Sequence, residues 1–258
     1  MKISLIQSDI IWDDPLTNVS KYSALAADAV NQGGELLVFP EMFSCGFSLP
    51  VGALAEEAGI VGSEFLRATA QHYRVYTLGS VPEVTSSGQI FNTAFLFAPD
   101  GSLQKYRKLH LFSFGDEPSK YSPGEELLST VIHGLRCTIF ICYDLRFTIP
   151  FSLRAQDTDI FIVVANWPNT RREHLITLLR ARAIEYQCYV AGVNRIGTGG
   201  GLTYVGDSAL FAPDGSPIVE MGDKEGVATV AVEQERVIAW RDMFPALRDR
   251  RPECYGKL

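Results

Sequence analysis

The chain has 258 residues, 47% hydrophobic and 21% charged, with a formal net charge of −7, the make-up of an ordinary globular protein with room for one substantial core. Its acidity, with no local cluster of Lys and Arg, excludes the electrostatic footprint of a nucleic-acid binder or a polybasic membrane binder. The most apolar run, FIVVANWP from Phe161, is far too short to span a bilayer, and the opening MKISLIQSDIIWDDPL lacks the sustained apolar stretch of a secretory signal.

In chain order, Lys2–Ser8 is β-rich, Leu16–Asn31 has helical spacing with an exit at Gly33-Gly34, and Glu35–Phe39 (ELLVF) reads as a short buried strand. Val61–Tyr73 predicts a helix and Arg74–Val81 a strand. Arg136–Ile141 and Asp159–Ala165 predict strands, Arg171–Tyr186 a long helix, and Tyr189–Asn194 another strand. Continuous apolar strands alternating with helices predict an α/β fold whose sheet is covered on at least one face by helices.

FAPDGS occurs at Phe97–Ser102 and again at Phe211–Ser216, each time after a strand-like run (NTAFL, GDSAL), so each copy reads as strand, Pro-Asp-Gly turn, strand. RVYTLGSV pairs with CYVAGVNR and ELLVFPE with DIFIVVANW at a nearby offset. Turn chemistry alone explains one such coincidence; three matches predict two β-α-β halves in one pseudo-symmetric domain over residues 1–258. No Pro/Ser-rich linker separates the halves, and the tail from about 244, ending ECYGKL, reads as peripheral.

Five cysteines (45, 137, 142, 188, 254) form an odd set without metal-ligand spacing, which points to free thiols in a reducing compartment, the cytoplasm. Three reactive residues fall where predicted strands end: Glu41 after ELLVFP, Cys142 after RCTIFI, and Lys108 in YRKLHLF after the first FAPDGS. Loops at the carboxyl ends of strands gather side chains into a crevice. Taken singly, the Cys is by default a small buried hydrophobe and the Glu and Lys are solvated. Together they are the parts of an amide hydrolase. The thiol is the nucleophile, the carboxyl moves protons, and the ammonium, with the backbone N–H of Tyr143, holds the oxyanion.

FPEMF (Phe39–Phe43), YRKLHLF (Tyr106–Phe112) and ICYDLRF (Ile141–Phe147), in this order, resemble the three signature segments of the nitrilase superfamily, the carbon–nitrogen hydrolases. The resemblance continues through Ala165–Arg195 and Gly206–Ser216 and so covers nearly the whole chain. It implies a four-layer α-β-β-α sandwich, usually dimerised through helices, hence a homodimer here. It also implies a Glu-Lys-Cys triad of Glu41, Lys108 and Cys142, with no metal, nucleotide or flavin cofactor. A second glutamate that orients the lysine or the substrate matches Glu117, with Glu125 and Glu126 as competitors. FPEMF, HLF, CYDLRF and ANWP look most like the ω-amidase branch, which implies hydrolysis of 2-oxoglutaramate or 2-oxosuccinamate through a thioester. A nitrilase, an N-carbamoyl amino acid hydrolase and a silent binding module of the same fold are the alternatives.

A carboxylate-bearing substrate needs a further cation, for which Arg146 and Arg195 are candidates, each with a structural ion pair as the plain alternative. Phe43, Phe112, Tyr121 and Trp167 are candidates for an apolar pocket wall, with core packing as the default for all but Trp167. His110 and His174 raise a Cys-His protease, but neither lies in the local signature of one. Asp144 reads as an anchor of the turn after Cys142, and GTGGG (Gly197–Gly201) as a loop rather than a nucleotide site.

Overall fold

Strand β1 (Lys2–Gln7), helix α1 (Pro15–Asn31), strand β2 (Leu36–Val38), helix α2 (Gly52–Tyr73) and strand β3 (Tyr76–Val84) alternate along the first half. The helical connections make β1, β2 and β3 parallel neighbours. Strands β4 (Ile90–Phe97) and β5 (Leu103–Arg107) then extend the sheet as an antiparallel meander. The second half supplies β6 (Leu128–Ile132), β7 (Leu135–Ile141), α3 (Thr148–Arg154), β8 (Ile160–Val164), α4 (Arg172–Tyr186) and β9 (Tyr189–Val193). A separate hairpin, β10 (Ile196–Gly199) and β11 (Leu202–Val205), precedes β12 (Ala209–Phe211) and β13 (Pro217–Glu220), and β14 (Gly226–Ala231) and α5 (Gln234–Met243) follow. The computed structural model describes residues 1–255; the last three residues of the ECYGKL tail lie outside the described residues.

Two six-stranded sheets result, ordered β14-β1-β2-β3-β4-β5 and β6-β7-β8-β9-β12-β13. Each has one antiparallel edge strand, three parallel strands and an antiparallel pair, so the halves share one topology. The two FAPDGS copies are the β4–β5 and β12–β13 turns. In both, the Ala N–H donates to the Ser carbonyl (2.9 and 2.8 Å) and the Asp carboxylate accepts from the Ser N–H (2.8 and 2.9 Å). Identical letters therefore make identical turns.

The larger core lies between the sheets: Ile3, Leu5, Leu36, Val38 and Leu78 of one meet Ile139, Ile141, Ile162 and Val164 of the other. Leu37 points the opposite way, with Ile6, to pack on Tyr22 and Ala26 of α1 and Leu66 and Ala70 of α2. Helix α4 covers the second sheet, where a Cβ on Gly192 of β9 would lie 2.3 Å from Leu179 Cδ1. The layers thus run helix, sheet, sheet, helix, and among the described residues no helix is long and apolar enough to cross a membrane.

Helix α2 begins at Gly52, nine residues before the predicted Val61. Gly59 and Gly62 read as interruptions, but both lie on the face that meets β3: a Cβ on Gly59 would come within 2.3 Å of the Pro82 carbonyl, and one on Gly62 within 2.5 Å of Val81. The glycines are there so that helix and strand approach closely. Helices α3 and α5 and strands β6, β10, β11 and β14 carry weaker patterns and were not anticipated. Beyond α5, Leu247 is buried in the larger core and its N–H donates to Gln187 Oε1 at 3.3 Å, which anchors the chain there.

Candidate active site

The two sheets bring the carboxyl ends of their strands to one cleft. Glu41 follows β2, Lys108 follows β5, Cys142 follows β7, and Asn166 follows β8. The junction between halves is direct: the Glu41 N–H donates to Ala165 O at 3.3 Å, and Asn166 Nδ2 donates back to Glu41 O at 3.2 Å. Cys142 has φ of 44°, and Met42, next to Glu41, has φ of 50°. Such left-handed backbone at a non-glycine residue persists only where the surroundings enforce it. At Cys142 the enforcing group is Asp144. Its buried carboxylate accepts from the Ile141 N–H (3.0 Å), the Tyr106 hydroxyl (2.6 Å) and the His110 N–H (2.9 Å) and contacts His110 Nδ1 (2.8 Å). It anchors the turn, as its place two residues after the cysteine suggests.

Glu41, Lys108 and Glu117 are fully or almost fully buried, and Lys108 touches both carboxylates. Lys108 Nζ donates to Glu41 Oε1 at 2.9 Å and to Glu117 Oε2 and Oε1 at 2.9 and 3.2 Å. Glu117 also accepts from the Phe112 N–H at 2.6 Å. The other carboxylate oxygen of Glu41, Oε2, accepts from the Asn166 N–H at 2.9 Å. The Cys142 sulfur adjoins the Glu41 carboxyl and that same Asn166 N–H. Of the three competing glutamates, Glu117 meets the lysine, while Glu125 and Glu126 line a separate surface groove.

One ammonium thus serves two carboxylates in a water-poor site. Burial lifts the Glu41 carboxyl above its ordinary value; Lys108 opposes that rise and Glu117 reinforces it. Burial likewise pushes the Cys142 thiol well above its usual range, with Glu41 adding to the rise and Lys108 opposing it. For Lys108 burial alone would favour the neutral amine, but Glu117 and Glu41 outweigh it and its pKa is raised. The arrangement holds a protonated thiol beside a carboxylate of raised basicity and a fixed cation, as transfer of the thiol proton to Glu41 during attack requires. Among the described residues, no group of three His, Cys, Asp or Glu side chains is set to hold a metal ion.

The cleft over the sulfur, about 410 Å³, is lined by Phe47, Phe112, Tyr143, Arg146, Trp167, Arg171, Leu202 and Tyr204, among others. The predicted Tyr143, Arg146, Trp167 and Phe112 therefore share one wall. The Arg146 guanidinium lies 4.6 Å from the Trp167 ring and donates to His174 Nδ1 at 3.2 Å, and that of Arg171 lies 5.3 Å from the Phe112 ring. Neither has a carboxylate partner among the described residues.

Three candidates fall elsewhere. Phe43 is fully buried against Tyr22, Phe39 and Phe65 under the helices, so it is a core residue and not a pocket wall. Tyr121 donates to Pro50 O at 3.0 Å inside a small core. Arg195 is buried and bonded to Asp9 at 2.6 Å and to Thr198 O at 3.0 Å, a structural ion pair. Sequence reasoning missed Asn92, Asn166, Phe47, Arg171, Leu202 and Tyr204. Asn166 and Arg171 lie within the ANWPNTRR stretch already singled out, whereas GTGGG gave no hint that its hairpin lends Leu202 and Tyr204 to the cleft.

The carbon-nitrogen hydrolase family model matches residues 2–242. The omega-amidase YafV of Escherichia coli is 35% identical over 254 residues, covering 96% of this chain and 96% of that protein. A 2-oxoglutaramate amidase of Bacillus subtilis is 31% identical over 258 residues, covering 98% of each. The crystal structure of a CN-hydrolase superfamily protein from Xanthomonas campestris, with an arsenic adduct in its active site, matches with a TM-score of 0.89 at 37% identity over 97% of each chain.

Proposed function

This chain belongs to the carbon–nitrogen hydrolase family, and from that premise we propose that it is an ω-amidase. It releases ammonia from the terminal amide of a short 2-oxo acid such as 2-oxoglutaramate or 2-oxosuccinamate. The observation that carries the substrate class is the pair of arginines, Arg146 and Arg171, on the wall of the cleft that holds Cys142, stacked on aromatic rings and without a carboxylate partner among the described residues. Guanidinium groups without a carboxylate partner beside a nucleophile suit a substrate that carries its own carboxylate. The relatives named for ω-amidase and 2-oxoglutaramate amidase activity support the same reading.

In the mechanism we infer, Glu41 takes the Cys142 proton as sulfur attacks the amide carbon. The carbonyl oxygen becomes an oxyanion held by Lys108 Nζ and the Tyr143 N–H, a donor whose loss typically costs about 3 kcal/mol of barrier. Glu41 returns the proton to the nitrogen, the C–N bond breaks, and ammonia leaves a thioester on Cys142. Glu41 then removes a proton from water, which attacks the thioester; the tetrahedral adduct collapses and sulfur takes the proton back. Glu117 pairs with Lys108 and so keeps the cation charged and in position. Because the base and the nucleophile come from opposite halves, residues 1–258 act as one catalytic unit.

We further propose a homodimer formed through the helices, supported by the exposed Ile149 and Leu153 of α3 and the exposed Met243 and Phe244 at the end of α5; Leu153→Asp should then shift the sedimentation coefficient to that of a monomer. Free cysteines, three of them buried, suit the cytoplasm, which a fluorescent fusion in the native host tests. The functional assay is ammonia release from 2-oxoglutaramate, 2-oxosuccinamate, glutamine, asparagine, a simple nitrile and an N-carbamoyl amino acid. The 2-oxo acid monoamides should exceed the rest in kcat/KM by at least about tenfold; a preference for the nitrile or the carbamoyl compound would reject the assignment.

A further inference from the structure

Asn92 of β4 is fully buried in the catalytic cluster, yet the mechanism above gives it no task. Its Nδ2 donates to Glu41 Oε1 at 2.8 Å and to Glu117 Oε1 at 3.3 Å. Lys108 Nζ contacts the same two oxygens, at 2.9 and 3.2 Å. One charged and one neutral donor therefore bridge a single pair of carboxylate oxygens. The two amide protons of Asn92 match the two acceptors one to one. Its own Oδ1 is buried without a partner. Turning the amide over would set that oxygen against two carboxylates, so the cluster itself dictates the orientation. An unpaired buried carbonyl is something a core position avoids, and an apolar residue would fill the place in β4 without it. The donor end is what the position serves.

We propose that Asn92 is a positioning residue for the acid–base step: it holds Glu41 ionised and turned so that Oε2 takes the thiol proton. The proposal deepens, and rests on, the assignment of Glu41 as base. Oε1 is held by both Lys108 and Asn92, whereas Oε2 has one donor, the Asn166 N–H at 2.9 Å, which also borders the Cys142 sulfur. The oxygen with spare accepting capacity is thus the one beside the thiol. The ionisable groups that face Glu41 are Lys108, Glu117, the Cys142 thiol and the Tyr204 phenol of β11. Among them a neutral donor has a distinct use. It steadies the carboxylate without a second cation, which would make Glu41 too weak a base to take up the thiol proton.

The test uses full-length Asn92→Ala and the milder Asn92→Ser, with kcat and KM measured separately across pH on an amide that the wild type hydrolyses. Losing a donor to an ionised carboxylate raises its pKa, so the acid limb of kcat/KM should move up by about one pH unit in Asn92→Ala. We expect kcat to fall roughly ten- to hundredfold, KM to stay within about threefold, and Asn92→Ser, with one hydroxyl donor, to lie between. Carboxyl-carbon NMR of labelled glutamate gives a second readout, with the Glu41 signal assigned by its absence in Glu41→Gln. Its midpoint should be higher in Asn92→Ser than in the wild type, and this carries the test if Asn92→Ala does not fold. An unmoved acid limb with equal midpoints, or a loss that is the same at every pH and tracks thermal stability, would overturn the role. A wild type inert on every amide would instead sink the amidase reading, and the NMR midpoints would still decide the case of Asn92.

Discussion

Strand β5 and the residue after it feed two ion clusters of opposite design. Lys105 and Arg107 point outward to Glu83, with Nζ at 3.0 Å and Nε at 2.9 Å, so one carboxylate has two cations near solvent. Lys108 turns inward, where one cation has two buried carboxylates. Burial alone would raise Glu83, but its bonds to Arg107 and Lys105 bring its pKa down to about 2. The Glu41 carboxyl goes the other way. The same residue types thus make a depressed surface carboxylate where cations are in excess and exposed, and a carboxyl of raised pKa, suited to the proton transfer proposed above, where they are deficient and dry.

The contrast breaks first at its inner member. Glu41→Gln, like Cys142→Ala, should lower kcat by at least about 10⁴-fold, while Glu83→Gln leaves kcat within about twofold; steady-state ammonia release compares them. Lys108→Met should lower kcat by about 10³-fold and, by stranding two buried carboxylates, destabilise the fold by about 3–5 kcal/mol in urea titration. Lys105→Met should cost less than about 1 kcal/mol. Arg171 tests a third arrangement, a cation with no carboxylate near it. Arg171→Ala should raise KM about ten- to hundredfold for the 2-oxo acid monoamide, with little change for a neutral amide of similar size.

The clusters also differ in their dependence on pH. In the proposed mechanism the ionised form of Glu41 is the active one; its pKa is raised, so kcat/KM should fall as pH drops through a value above the usual carboxylate range, and a limb at or below about 4 would contradict this. Glu83 is depressed to about 2, so its stabilisation is complete above its unfolded value near 4.5 and is lost as pH falls through about 2. Glu83→Gln should therefore cost about 1 kcal/mol at neutral pH, a difference from wild type that shrinks as the pH is lowered from about 4.5 towards 2.

The reactive residues were legible in the sequence because each lies in a segment with its own wording: Glu41 and Cys142 just past the apolar strands β2 and β7, Lys108 just past the largely polar β5. The β-α-β repeat was legible through FAPDGS, since a turn needs its residues in a fixed order. What could not be read depends on packing across elements. Phe43 and Phe47 are four residues apart in one loop, yet packing turns the first into the core and the second into the cleft. Asn92 is one polar residue in a strand, and its bonds to Glu41 and Glu117 appear only when the sheet sets β4 one strand away from β2. The glycines of GTGGG looked like a slack loop. In the fold the Trp12 indole rests on two of them, where a Cβ on Gly199 or Gly200 would lie 2.1 or 2.3 Å from the ring, and the hairpin closes one side of the site.

In the proposed mechanism sulfur, ammonium and carboxyl act in one place through a covalent intermediate on Cys142. Rapid quench of wild-type enzyme during turnover of 2-oxoglutaramate, followed by peptide mass spectrometry, tests it most directly. The expected result is an adduct of substrate less ammonia on the peptide containing Cys142, absent from Cys142→Ala. Undiminished ammonia release by Cys142→Ala, or an adduct carried by another residue, would contradict it.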